Sequence, residues 1–363
     1  MTEPTTRPPS FAVISGEQVH EAIGGREVQV TRMVEAAYRL HGEGATVNPD
    51  SYFLRFPDRP SSRIIALPAS VGGPVGVHGI KWISSFPENV ADGLPRASAV
   101  LILNDAETGY PFACLESSII SAARTAASAA LAATVLTGRR ELRAGFFGVG
   151  LIARYLHTYL AANGFSFSAL GVHDLDPGHA AGFKGYLERT ETAPVTIHDK
   201  PEDLIRSSDL VVFATVAGEP HVADPDWFSH HPLVLHISLR DLAPEIILSS
   251  YNIVDDVDHC LKAGTSPPPG RAADGEPRLR RRHPPRRPDR RGRAARGPDR
   301  GVLAVRPGRP RPGGGPLRLR PGGVLGRPAD GAGVLPRAQT LRLISARAGM
   351  PPLWMRNAAT SRR

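Results

Sequence analysis

The stretch Arg143-Ala144-Gly145-Phe146-Phe147-Gly148-Val149-Gly150-Leu151-Ile152-Ala153-Arg154-Tyr155-Leu156 constrains this chain most. An apolar, strand-like run enters a G-x-G-x-x-A turn and leaves as a helix, the arrangement that seats a dinucleotide pyrophosphate on a helix N-terminus. Gly148 permits the tight turn, Gly150 lets the backbone approach the pyrophosphate, and Ala153 keeps the helix close to the strand. Alone, such a motif is a weak signal. Here Asp174 stands 21 residues beyond Ala153, at the end of the next apolar run. A carboxylate there accepts hydrogen bonds from ribose hydroxyls and repels a 2′-phosphate, which favours NAD over NADP. Thr215, just after a later strand, is assigned to the same cofactor site.

Strands and helices alternate around this turn. Strand runs at 144–147, 168–173, 195–197, 209–214, 233–238 and 251–254, with helices following the turn and at 177–189 and 201–207, predict a Rossmann-type α/β fold with a doubly wound parallel sheet. The first half reads differently. A short strand at 11–14 and helices at 15–23 and 28–40 precede strands at 52–55, 63–67, 77–83, 97–104 and 110–115. Strands that run together after helices argue for a separate, smaller α+β domain over residues 1–128. An Ala-rich helix at 117–136 links it to a cofactor domain over 129–262.

Charge divides the chain once more. The net +9 sums two unlike parts: residues 263–363 hold 24 Arg, no Lys and 5 acidic residues, a net +19, whereas the preceding 262 hold 20 basic and 30 acidic residues, a net −10. The basic part has no Phe or Tyr and a single Ile, with runs such as Arg280-Arg281-Arg282-His283 and Arg311-Pro312-Gly313-Gly314-Gly315. Pro and Gly at this density predict a disordered tail without regular elements. Cys114 and Cys260 form no metal-type or C-x-x-C spacing, no apolar run reaches the ~18 residues that span a bilayer, and the start lacks a secretory signal, so the expected location is the cytoplasm. Glu116 and the pair His230-His231 read as structural or solvated, and no metal site is expected.

At Arg63-Ile64-Ile65-Ala66-Leu67-Pro68, His78-Gly79-Ile80-Lys81-Trp82-Ile83, Leu103-Asn104-Asp105 to Tyr110-Pro111, and Ser121-Ala122-Ala123-Arg124-Thr125-Ala126-Ala127-Ser128, residues 10 to 262 resemble the ornithine cyclodeaminase / mu-crystallin family. The likeness is greatest to the branch that makes 2,3-diaminopropionate for siderophores or peptide antibiotics. It implies an NAD domain facing a smaller substrate-binding and dimerisation domain, a homodimer, and an amino-acid substrate. Carried over by motif, Arg55, Lys81 and Arg124 are the substrate-binding cations, with Arg59 and Arg63 competing for the role of Arg55. A guanidinium holds a carboxylate in two parallel hydrogen bonds, and a desolvated Lys moves protons. Lys81 and Asp241 are the implied catalytic residues; Asp241 also reads as a loop-opening cap.

Ornithine cyclodeaminases carry a carboxylate for the substrate's side-chain amine where this chain has Ile65. An apolar residue cannot hold an ammonium. The resemblance therefore implies NAD-dependent oxidation of N-(2-amino-2-carboxyethyl)-L-glutamate to 2,3-diaminopropionate and 2-oxoglutarate, with ornithine cyclisation or another amino-acid dehydrogenation as alternatives. Past residue 262 the family's pattern stops, and a tail of Arg, Pro, Gly and Ala is what a GC-rich gene yields out of frame. A one-base shift permits a family-like reading from Pro267 onward and over Val302 to Gly313, so a frameshift between Lys262 and Pro269 is expected. An inactive product, a ligand binder without turnover, and nucleic-acid binding through the Arg-rich tail stay open; the last lacks aromatic interleaving or a known module.

Overall fold

The computed structural model describes residues 10–238, 240–255 and 260, together with the backbone of Leu279–Arg281 and Leu303–Pro307. Two sheets organise it.

The first sheet has seven strands: β1 (Ala12–Ile14), β2 (Thr46–Val47), β3 (Tyr52–Phe56), β4 (Arg59–Val71), β5 (Val77–Ser85), β6 (Ala97–Asp105) and β7 (Pro111–Glu116). β4, β5, β6 and β7 form an antiparallel meander, and β1 adds in parallel beside β7. Helix α1 (Gly16–Ile23) starts at a capping box in which Ser15 and Gln18 bond each other's backbone. Helix α2 (Glu27–Gly42) follows. Period-2 patterning in β5 puts Lys81, Ile83 and Ser85 on one face and Trp82 and Ser84 on the other.

Helix α3 (Ser118–Leu136) begins where the Glu116 carboxylate accepts from the amides of Ser118 and Ile119, at 2.5 and 3.2 Å. Its alanines 122, 123, 126, 127, 129, 130 and 133 are buried, small enough to bring α2 and helix α4 (Leu151–Ala162) close. By length and composition α3 is apolar enough to cross a membrane, which corrects the expectation that no run qualifies. Its alanines belong instead to the main core, with Phe146, Leu156 and Tyr159.

The second sheet contains β8 (Glu141–Phe147), β9 (Ser166–His173), β10 (Val195–Ile197), β11 (Leu210–Phe213) and β12 (Leu233–His236), in the order β10-β9-β8-β11-β12 and parallel throughout. Helices α4, α5 (Pro177–Thr190) and α6 (Pro201–Ser207) connect them, and α7 (Pro244–Leu248) leads to β13 (Ser250–Val254). This is the expected doubly wound α/β architecture. One correction concerns the tail: β14 (Leu279–Arg281) pairs with β13, and β15 (Leu303–Pro307) inserts antiparallel between β12 and β13. Backbone hydrogen bonding in a sheet ladder needs no particular side chains, so these segments take strand form despite their composition. The rest of the basic tail, and the expected frameshift junction, lie outside the described residues.

The sequence reading also missed β2, a 3-10 turn at Pro87–Asp92, another at Pro225–Phe228, and α7. All are too short to show a period.

Candidate functional site

The glycine turn is built by the close approach of β8 and β11. Gly148 has φ +73°, and a Cβ there would sit 2.7 Å from the Thr215 Cα and 2.8 Å from the Ala214 carbonyl oxygen. Only glycine fits that backbone. Gly150 is different: it is the N-cap of α4, and nothing lies within 4 Å of where its Cβ would be. Helix α4 therefore opens with no capping side chain in front of its first amides, the form that accepts a phosphate. Ala153 is fully buried against the core.

Asp174 follows β9 and ties the turn together. Its Oδ2 accepts from the Val149 amide at 3.0 Å and its Oδ1 from the Asp176 amide at 2.9 Å. Each carboxylate oxygen keeps a second lone pair for a ribose hydroxyl. Turn, open helix end and strand-end acid fit a dinucleotide. Of the assigned cofactor residues, Thr215 lies against Gly148 but spends its hydroxyl elsewhere: it donates to Asp241 and accepts from the Ala217 amide at 3.1 Å.

Asp241 is fully buried at the end of the same sheet. Its Oδ1 accepts from Thr215 and from His221 Nε2 at 3.1 Å, and its Oδ2 from Ser238 and from His236 Nε2 at 3.0 Å. Burial alone would raise its pKa, but the bonds from His221, His236 and Ser238 win and hold the carboxyl well below the usual range. His236 is buried too; its Nε2 donates to Asp241, and its Nδ1 has no partner among the described residues. The His221 side chain is 34% exposed. Any proton that Asp241 exchanges with a ligand must pass through His221, Ser238 or Thr215, because its own oxygens reach no open space.

The cations gather on one face of the first sheet. Lys81 Nζ donates to Ser121 Oγ on α3 at 3.1 Å, and Arg124 is three residues further along that helix, on the same face. Arg55 shares that face but stands two rungs from Lys81. It is exposed on β3, with its guanidinium 5.1 Å from the Phe53 ring, directly opposite Arg63 on β4. Arg63 in turn is opposite Ser85, whose hydroxyl accepts from Arg96 at 3.0 Å. Burial and repulsion from Arg55, Arg96 and Arg240 lower the pKa of Arg63, and burial lowers that of Arg96; both guanidinium groups stay charged.

His221, His236, Ser238, Arg96 and Arg240 escaped the sequence reading. Only Ser238 and Arg240 offered a signal, their nearness to Asp241. Among the described residues no group of three His, Cys, Asp or Glu could hold a metal ion.

The profile of the ornithine cyclodeaminase/mu-crystallin family matches residues 13–238. N-((2S)-2-amino-2-carboxyethyl)-L-glutamate dehydrogenase of Staphylococcus aureus is 30% identical over 248 residues, 66% of this chain and 73% of that protein. Among solved structures, that of CmnK has a TM-score of 0.62 at 29% identity, covering 70% of this chain and 76% of the other. An archaeal alanine dehydrogenase dimer with bound NAD has a TM-score of 0.59 at 26% identity, covering 69% and 76%.

Proposed function

The chain belongs to the ornithine cyclodeaminase/mu-crystallin family, and from that premise we propose that it is an NAD-dependent oxidoreductase of N-(2-amino-2-carboxyethyl)-L-glutamate. The products are 2,3-diaminopropionate and 2-oxoglutarate, and the product's use in siderophore or peptide-antibiotic assembly follows from the same reading. The observation that carries the substrate class is the Lys81–Ser121 contact with Arg124 one turn on, a cation pair for an amino-acid carboxylate. Ile65 supports a secondary amine over ornithine: it shares this sheet face, opposite Ile83 and Phe53, and offers nothing to an ammonium.

Residues 1–128 are read as the substrate-binding and dimerisation domain and 129–262 as the NAD domain. Gly148, Gly150 and the first turn of α4 would hold the pyrophosphate, and Asp174 the ribose. NAD⁺ supplies the hydride acceptor for the substrate Cα–H, leaving an imine on the substrate. Arg124 and Lys81 orient the carboxylate beside that carbon. Water then adds to the imine, Lys81 and the Asp241 network carry the protons, and the carbinolamine splits to amine and keto acid. Asp241 holds His221 with Nε2 as the donor, so the neutral ring's other nitrogen is its base.

A homodimer is part of the reading. On the sheet face opposite Lys81, Tyr52, Trp82 and Val100 lie in one cross-strand row and are 71, 40 and 39% exposed, an apolar strip suited to a second copy. The tail carries its own proposal, a frameshift between Lys262 and Pro269; reading the DNA there tests it, and no family-like alternative frame would refute it. The functional reading is tested by incubating the full-length chain with NAD⁺ and, separately, the glutamate adduct, L-ornithine and L-alanine while following NADH. Turnover confined to ornithine or alanine would overturn the substrate.

A further inference from the structure

The face of the first sheet that bears Lys81 has three successive rungs. Leu67, Lys81 and Leu101 make one; Phe53, Ile65, Ile83 and Ala99 the next; Arg55, Arg63, Ser85 and Ala97 the third. Residues directly opposite share a face, so the order is cationic, apolar, cationic. Lys81 and Ser85 are four residues apart on β5, which separates the outer rungs by about 13 Å at the backbone. Long side chains shorten that gap from both ends.

The third rung is unusual in what it lacks. Like charges directly opposite on antiparallel strands are destabilising, and here Arg55 faces Arg63. Arg96, just ahead of β6, brings a third guanidinium onto Ser85 of the same rung. Arg240, next to Asp241, adds a fourth positive charge felt at Arg63. Acids are near but engaged elsewhere: Asp58 pairs with Arg59 at 3.8 Å, and Glu88 accepts from Ser61 and Ser62 at 2.5 and 3.1 Å. Among the described residues, Arg55, Arg63 and Arg96 form no salt bridge. Arg63 and Arg96 are half-buried, and half-buried cations held together without a counter-ion cost stability unless an anion joins them.

We infer that Arg63 and Arg96, flanked by Arg55 and Arg240, form an anion subsite for the side-chain carboxylate of the substrate's glutamate arm, whose α-carboxylate lies at Lys81 and Arg124. The apolar middle rung suits the methylene chain of a glutamate-type arm, and the guanidinium forks suit the carboxylate at its end. A substrate with one carboxylate, such as alanine, leaves the third rung unfilled. This deepens the proposed function and rests on it only for the identity of the arm. The subsite itself is a statement about dicarboxylate binding.

The test uses full-length protein saturated with NAD⁺ and titrated calorimetrically with glutarate or butyrate. Glutarate is expected to bind at least about tenfold more tightly than butyrate, with affinity falling as salt rises. Arg63→Gln and Arg96→Gln should each weaken glutarate about ten- to a hundredfold while NADH affinity and butyrate binding stay unchanged. Arg63→Lys, which keeps the charge and loses the fork, should recover only part of the affinity and serves if the glutamine variant fails to fold. Glutarate binding no better than butyrate, or indifferent to both arginines, overturns the subsite. The two readings separate cleanly. Arg-dependent glutarate binding without NADH formation from the glutamate adduct refutes the reaction and leaves the subsite standing. NADH formation whose KM is unchanged in Arg63→Gln and Arg96→Gln refutes the subsite alone.

Discussion

Arg55 and Arg63 face one another directly across β3 and β4, and neither forms a salt bridge among the described residues. Their repulsion is present whenever no anion is bound, so function and stability should pull in opposite directions here. Arg63→Met should stabilise the ligand-free protein by about 0.2–1 kcal/mol at low salt, with the gain shrinking as salt rises. Urea unfolding at two ionic strengths measures it. A loss of stability at low salt would mean that the pair is not in conflict.

The two glycines of the cofactor turn should behave differently. Gly148→Ala forces a methyl into Thr215 and Ala214 at a positive φ and should lower the unfolding midpoint. Gly150→Ala meets open space and should fold normally, yet weaken NADH about tenfold or more by filling the pyrophosphate approach. Thermal unfolding and NADH fluorescence titration, run on both variants, separate the effects.

How much of this was legible in the sequence depends on the distance over which each feature is encoded. The glycine turn, Asp174 and nearly every strand and helix up to Val254 follow from local periodicity, so they could be read directly. Lys81 and Arg124 were legible as motif residues, although the contact of Lys81 with Ser121, one turn from Arg124, was not. The Arg55–Arg63–Ser85 rung depends on strand register, which hydrophobic alternation leaves undetermined by whole two-residue steps. His221 reaches Asp241 across 20 residues because β11 and β12 lie side by side, a tertiary fact with no spacing signature.

Asp241 is an ionised group held by four donors in a closed site, so its neutral replacement should cost stability as well as activity. Asp241→Asn should lose about 2–3 kcal/mol in urea unfolding at neutral pH, since it sets an amide N–H₂ against the donors of His236 and Ser238. Unchanged stability would show that the network is looser than its geometry.

Asp209 gives the acid limb of stability. Hydrogen bonds from Arg143, at 3.0 and 3.1 Å to its side chain and 3.0 Å to its amide, outweigh burial and push the carboxyl down to about 2. A depressed folded-state pKa stabilises the native form above the unfolded value, about 4, and that contribution is lost as pH falls from there through about 2. The Asp209 side chain is 17% exposed and Arg143 47%, so solvent screening limits the contribution to about 1–2 kcal/mol. Asp209→Asn should be less stable at neutral pH and show a flatter decline between pH 4 and 2.

Trp82 tests the dimer. Trp82→Glu puts a charge in the middle of the exposed apolar row and should convert a dimer to monomer in sedimentation, with no loss of fold. A wild-type monomer would refute the homodimer.

Product stoichiometry tests the central claim most directly. Full-length protein with NAD⁺ and N-(2-amino-2-carboxyethyl)-L-glutamate should yield NADH, 2-oxoglutarate and 2,3-diaminopropionate in equal amounts. NADH without release of 2-oxoglutarate, or turnover only of ornithine with release of ammonia, would contradict it.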